Sequence, residues 1–110
     1  MTKVFIYKNE NNECVGFKAF GHAGYAEEGE DIVCAAISVL TINTMNSIEA
    51  LTTTKASLDM NQEEGFMEYK ILGKPSKEST LLLEAMTLGL KMMADDENYS
   101  EYIDLKFREV

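Results

Sequence analysis

The sequence predicts an α+β fold in which two helices pack on a mixed, mainly antiparallel sheet. Five short segments alternate apolar and polar side chains, which is the pattern of half-buried strands. Two longer segments repeat apolar residues every three or four positions, as helices packed on one side do. The elements follow one another as strand, strand, helix, strand, strand, helix, strand. With 110 residues, of which 45% are hydrophobic, the chain is predicted to form one domain over residues 1–110.

The strands are predicted as two hairpins and a final single strand. They cover residues 3–7, 15–20, 56–60, 67–71 and 102–108. Polar turns join the first pair and the second pair, which is typical of β-hairpins. The final strand alternates most clearly, because Ile103, Leu105 and Phe107 face one way and charged residues face the other.

The apolar spacing predicts two helices. The stripe of the first comprises Val33, Ile37, Leu40, Thr44, Ile48 and Leu51. Ile32, Ala36, Val39 and Ile42 widen this stripe, which predicts a helix that is close to fully buried. The second helix is predicted over residues 79–94 and ends at a group of acidic residues.

Charge and cysteine content exclude several classes of function. Ten basic and nineteen acidic residues give a formal charge of −9, which is opposite to what binding to nucleic acid requires, so we expect no nucleic-acid partner. Cys14 and Cys34 are too few for a disulfide scaffold and lack the close spacing of zinc ligands, so we expect no metal. No segment approaches ~20 apolar residues. We therefore expect no membrane partner and a cytoplasmic location.

The segment from Gly21 to Leu40, GHAGYAEEGEDIVCAAISVL, carries the most information about function. It contains the only histidine of the chain, His22, and the glycines Gly21, Gly24 and Gly29 among four acidic residues. This composition predicts a mobile loop up to Asp31, which is either a plain connection or a lid that gates access of substrate to a site.

A cysteine follows this loop where the first helix is expected to begin. Asp31 is a candidate N-cap, which places Cys34 at the third helical position, where the helix dipole favours a thiolate. Residues 31, 34 and 38 share one helical face, so Asp31, Cys34 and Ser38 can line one side of a pocket. A cysteine nucleophile needs a base, and His22 is the only histidine available. The alternative is that Cys34 is a small core residue and that His22 is a solvated loop residue.

The motif GHAGYA followed by GEDIVCAAIS resembles the signature of the bacterial ribosomal-processing cysteine protease family. The resemblance implies a small cytosolic endopeptidase without a cofactor. Its substrate would be the precursor of ribosomal large-subunit protein twenty-seven, from which it removes a short N-terminal extension. The family is also thought to form homodimers.

The resemblance places the catalytic pair on His22 and Cys34 and puts Asp31 and Ser38 at supporting polar positions. We further expect backbone amides at the start of the helix, including that of Cys34, to hold the oxyanion. Whether Asp31 orients the imidazole or only caps the helix is left open, as is the role of Ser38. The competing function is a ribosome-associated module that binds a basic ribosomal protein without cleaving it.

Overall fold

The computed structural model describes residues 1–21 and 28–110, and within them the elements follow the predicted order. The strands are β1 (Thr2–Lys8), β2 (Cys14–Phe20), β3 (Ala56–Asn61), β4 (Phe66–Ile71) and β5 (Ile103–Glu109). The α-helices are α1 (Glu28–Leu51) and α2 (Lys77–Asp95), and a single 3₁₀ turn at Ser100–Tyr102 precedes β5. The predicted α+β fold is confirmed.

The five strands form one mixed sheet in the order β3-β4-β2-β1-β5. All neighbours are antiparallel except β1 and β5, which are parallel. In this register, Lys3 lies opposite Phe20, and Phe20 lies opposite Phe66 on the other side. The start of β1, the end of β2 and the start of β4 therefore meet at one edge of the sheet.

The hydrophobic core lies between one face of the sheet and the two helices. Val4, Ile6 and Phe17 are fully buried on that face, and Val33 of α1 and Leu90 of α2 are fully buried with them. Each such side chain contributes about 2 kcal/mol through removal of apolar area from water. This packing fixes α1 against the sheet, and with it the part of α1 that carries Cys34.

The opposite face of the sheet carries aromatic rings beneath cationic side chains. The rings of Phe5 and Phe20 stack with their centroids 6.1 Å apart. The Lys18 ammonium lies 5.1 Å from the centroid of Phe5, and the Arg108 guanidinium lies 4.4 Å from the same centroid. Such cation–π contacts cover apolar ring surface with charged groups that stay in water.

Two expectations for the first helix are wrong. The helix begins at Glu28 rather than after Asp31, so Gly29 lies in its first turn and not in the predicted loop. Acidic side chains are favourable in a first turn because of the helix dipole, which explains why an acidic stretch begins this helix. The helix is also not close to fully buried, because Val39 and Leu51 on its outer side are 68% and 74% exposed.

The segment Asp31–Leu51 of α1 is long and apolar enough to cross a membrane, with a mean hydropathy of 1.4, contrary to expectation. This is weak evidence for a membrane span, since helices that pack in a protein core have the same composition. Here Val33, Ile37 and Ile48 of that segment are at most 4% exposed and pack into the core described above.

Candidate active site

A cavity of about 350 Å³ opens at the edge where β1, β2 and β4 meet, next to α1. It is lined by residues of the sheet, of the helix and of the β3–β4 hairpin. They include Thr2, Gly21, Cys34, Ile37, Ser38, Ile42, Met60, Gly65 and Met67. Most of them are apolar or small, so a chain segment with apolar side chains would fit against this surface.

Cys34 places its thiol in the wall of this cavity. The side chain is partly exposed, and its Sγ lies 3.1 Å from the Oγ1 of Thr2, within hydrogen-bond distance. Thr2 itself is only 5% exposed. Thr2 was not predicted from the sequence as a site residue, although one signal was present. Thr2 faces the same side of β1 as the buried Val4 and Ile6, and a polar side chain that is buried there needs a hydrogen-bond partner.

The start of α1 at Glu28 changes the expected role of the helix terminus. Cys34 is the seventh residue of α1, and only the first four amides of a helix lack a partner within it. The expectation that the Cys34 amide holds the oxyanion is therefore wrong, because that amide lies within the helical hydrogen-bond ladder. The dipole acts mainly over the first turn, so it does not explain activation of this thiol either.

The structure separates the two supporting residues. Ser38 lies one turn after Cys34 and lines the same cavity. Asp31 lies one turn before Cys34, is exposed, and belongs to the first turn of α1 rather than preceding it. The N-cap assignment for Asp31 is thus wrong, and the roles of both residues stay predictions.

Gly21 is held at the edge of the cavity by a close fit of backbones. Its amide donates a hydrogen bond to the Gly65 carbonyl over 3.2 Å. A Cβ at Gly21 would come within 2.8 Å of Thr2 Oγ1, so no larger residue fits there without a shift. Gly21 directly precedes His22 in the sequence. His22 and Gly24 lie outside the described residues, so the predicted gating loop and catalytic pair stay predictions.

The second cysteine has a different environment. Cys14 is fully buried in the core, and its burial raises the pKa of the thiol. A buried thiol with a raised pKa is a poor nucleophile. Of the two free cysteines, Cys34 is therefore the one placed for chemistry.

The comparisons with known proteins decide between the enzyme and the binding module. The family model described as cysteine protease Prp matches residues 1–104. The chain belongs to this family of cysteine proteases. The ribosomal processing cysteine protease Prp of Staphylococcus aureus is 28% identical over 108 residues, which is 98% of this chain and 100% of the relative.

Two solved structures of Prp extend this result to the fold. Prp from S. aureus in complex with a substrate peptide superposes with a TM-score of 0.90 at 26% identity, over 98% of this chain and 100% of that one. The same enzyme with a covalently linked product peptide gives 0.85 at 28% identity, with the same coverage. Prp chains thus bind peptides on this fold, and the present chain is a protease with the same architecture.

Proposed function

We propose that this protein is the endopeptidase that removes the short N-terminal extension from the precursor of ribosomal large-subunit protein twenty-seven, with Cys34 as nucleophile. The observation that carries the proposal is the Cys34 thiol in the wall of a cavity large enough for peptide side chains. The Prp of S. aureus, a ribosomal processing protease that has been solved with a covalently linked product peptide, supports both the substrate class and covalent chemistry.

His22 is the proposed base, since it is the only histidine in the sequence and directly follows Gly21, which lines the cavity. It takes the proton of Cys34 Sγ, and the thiolate attacks the carbonyl carbon of the scissile bond. Collapse of the tetrahedral intermediate breaks the C–N bond, and the imidazolium gives its proton to the leaving amine. Water then hydrolyses the thioester, which releases the second product and restores the thiol.

The cavity favours an apolar side chain in the substrate next to the scissile bond. Ile37, Ile42 and Met67 line it together with Cys34, and burial of one large apolar side chain there contributes about 2 kcal/mol to binding. The formal charge of −9 favours association with a basic ribosomal protein. Apolar contacts thus select the cleavage site, while charge brings the substrate to the enzyme.

The catalytic pair is tested by replacing each member separately. Cys34→Ala and His22→Ala should each lower cleavage of the precursor by more than about 100-fold, because removal of a nucleophile or its base costs at least that much. Mass spectrometry of the released peptide measures the cleavage. The matched control is Cys14→Ala, which removes the buried thiol and should keep activity near that of the parent.

Binding of the precursor to Cys34→Ala separates loss of catalysis from loss of substrate binding. This variant should keep binding and lose cleavage. Cleavage by Cys34→Ala at more than about one hundredth of the parent rate would contradict the covalent mechanism. A parent protein that binds the precursor and releases no peptide would contradict this precursor as the substrate.

We also propose a homodimer in the cytoplasm. The apolar side chains of Val39, Leu81, Leu88 and Met92 are between 62% and 69% exposed on the two helices, and exposed apolar residues of this kind often lie in protein interfaces. Free cysteines at both positions suit a reducing compartment.

A further inference from the structure

We propose that Thr2 is a positioning residue for Cys34: its hydroxyl holds Sγ in the cavity wall and donates a hydrogen bond to the thiolate. The inference rests on the proposed role of Cys34 as nucleophile. Its main test measures the reactivity of the thiol towards a small reagent, so it does not depend on which substrate the enzyme cleaves.

The position of the Thr2 hydroxyl is fixed from several sides. Thr2 is 5% exposed, and β1 is an inner strand, with Thr2 itself paired to Ile103 of β5. A threonine side chain is stiff at χ1 because it is branched at Cβ. The 3.1 Å contact between Thr2 Oγ1 and Cys34 Sγ therefore joins a rigid hydroxyl to a thiol on a packed helix.

The same hydroxyl also packs against the backbone that leads to the proposed base. A Cβ at Gly21 would lie 2.8 Å from Thr2 Oγ1 and 3.3 Å from Thr2 Cγ2. Thr2 thus lies within hydrogen-bond distance of Cys34 and close to Gly21, which precedes His22 in the sequence. Because Thr2 itself lines the cavity, the substitution that tests its hydroxyl must keep the shape of its side chain.

The direction of the hydrogen bond follows from the chemistry. Once Sγ has given its proton to His22, sulfur can only accept, so the Thr2 hydroxyl must donate, and Thr2 itself neither gains nor loses a proton. This bond to a charged acceptor holds Sγ in the orientation that faces the cavity. Loss of the hydroxyl therefore slows attack by Sγ on a reagent that enters the cavity.

The test compares Thr2→Val, which keeps the shape and loses the hydroxyl, with Thr2→Ser, which keeps the hydroxyl. Both are made in a Cys14→Ala background, so that iodoacetamide alkylates only Cys34. At pH 7, Thr2→Val should lower the alkylation rate about fivefold, whereas Thr2→Ser should stay within about twofold of the parent. A peptide that spans the junction between the N-terminal extension and the mature ribosomal protein is the second substrate (the junction peptide). Its cleavage should show the same pattern in kcat, with KM nearly unchanged.

Thr87→Val is the matched control. Thr87 is also buried, at 7% exposure, and its hydroxyl donates to the Leu83 carbonyl and lies 4.0 Å from the other cysteine, Cys14. Loss of this hydroxyl should leave alkylation of Cys34 unchanged. Circular dichroism and thermal unfolding confirm that each variant is folded, and Thr2→Ala replaces Thr2→Val if the latter is not.

Three results would overturn the proposal. One is a hydroxyl-free variant that is alkylated at the parent rate. Another is a serine variant as slow as the valine variant, which would assign the effect to the methyl group. The third is an effect confined to KM, which would make Thr2 a substrate contact. If the alkylation rates are as expected but the junction peptide is not cleaved, the positioning role of Thr2 is supported and the proposed substrate is wrong.

Discussion

Among the residues that the structure describes, Tyr7 shows a large effect of the fold on its ionisation. Its hydroxyl donates a hydrogen bond to the Glu68 carboxylate on β4. Burial, followed by this contact with Glu68, raises the pKa of Tyr7 from 10.0 to about 12. The folded state therefore keeps the phenol proton at a pH where the unfolded chain has released it.

This shift predicts a loss of stability in alkaline solution. The contribution of Tyr7 to the free energy of unfolding should be complete below pH 10 and should be lost as the pH rises towards 12, because Tyr7 ionises first in the unfolded state. Urea unfolding of the parent and of Tyr7→Phe at pH 8 and pH 11 measures this contribution. The parent should be more stable by about 1 kcal/mol at pH 8, and the gap should narrow at pH 11. An equal gap at both pH values would contradict the assignment.

Residue chemistry explains which site residues could be predicted from the sequence. The Cys34 thiol and the only histidine are rare reactive groups in one motif, so residue type alone singles them out. Thr2 is a common residue, and its role depends on a contact across 32 positions of sequence. Asp31 was assigned the wrong helical position because side-chain preferences for N-caps and for first turns overlap.

At the scale of elements, the β3–β4 hairpin forms part of the site through its turn. Gly65 has φ +65°, and a Cβ there would lie 2.8 Å from the Gly21 carbonyl oxygen. Gly73 has a similar φ of +72°, but a Cβ there would have no described atom within 4 Å. The two glycines therefore share a left-handed backbone conformation and differ in their contact with the edge of the cavity.

This pair predicts different effects on activity as well as on stability. Gly73→Ala should destabilise the fold by about 1 kcal/mol, since alanine is strained at positive φ. Gly65→Ala should cost more, because its Cβ would also meet the Gly21 carbonyl oxygen. Only Gly65→Ala should also displace Gly21 and lower kcat/KM for the junction peptide, by about tenfold or more. Thermal unfolding and peptide cleavage measure the two effects. Equal activities in the two variants would show that the turn does not position Gly21.

Local patterns predicted the elements better than their ends or their burial. The alternation of Ile103, Leu105 and Phe107 correctly indicated a strand, yet Phe107 is 51% exposed in the second half of β5, which is an edge strand. Helical spacing likewise identified α1 and could not show that only one side of it would meet the sheet. Apolar periodicity indicates whether a segment is a helix or a strand, whereas the burial of its side chains depends on which other elements pack against it.

For the whole molecule, the order of strands could not be predicted from the sequence, because it depends on long-range pairing. β5 joins β1 in parallel across the full length of the chain, and this pairing leaves β1 an inner strand. In this arrangement Thr2, at the start of β1, lies 3.1 Å from Cys34 Sγ, so the contact depends on a strand whose neighbours come from both ends of the sequence.

The distribution of charge over the molecule supports a final prediction about substrate capture. The formal charge is −9, and the exposed Glu63 and Glu64 lie in the hairpin turn between Gln62 and Gly65, which line the cavity. Glu10 and Glu109 are also exposed, but they lie at the opposite end of the sheet, where Glu109 is paired with Lys8 of β1 and Glu10 follows that strand. Two double variants can therefore remove the same charge near the cavity or far from it.

If acidic residues near the cavity attract a basic substrate, kcat/KM for the precursor should fall about tenfold between 0.05 and 0.5 M salt, with kcat changing much less. The double variant Glu63→Gln, Glu64→Gln should have a lower kcat/KM at low salt and a shallower salt dependence. The control Glu10→Gln, Glu109→Gln should resemble the parent, because screening weakens attraction over the length of a strand. Steady-state cleavage over a salt series measures both slopes. Identical slopes in the two variants would mean that substrate responds to net charge alone and not to the acidic turn at the cavity.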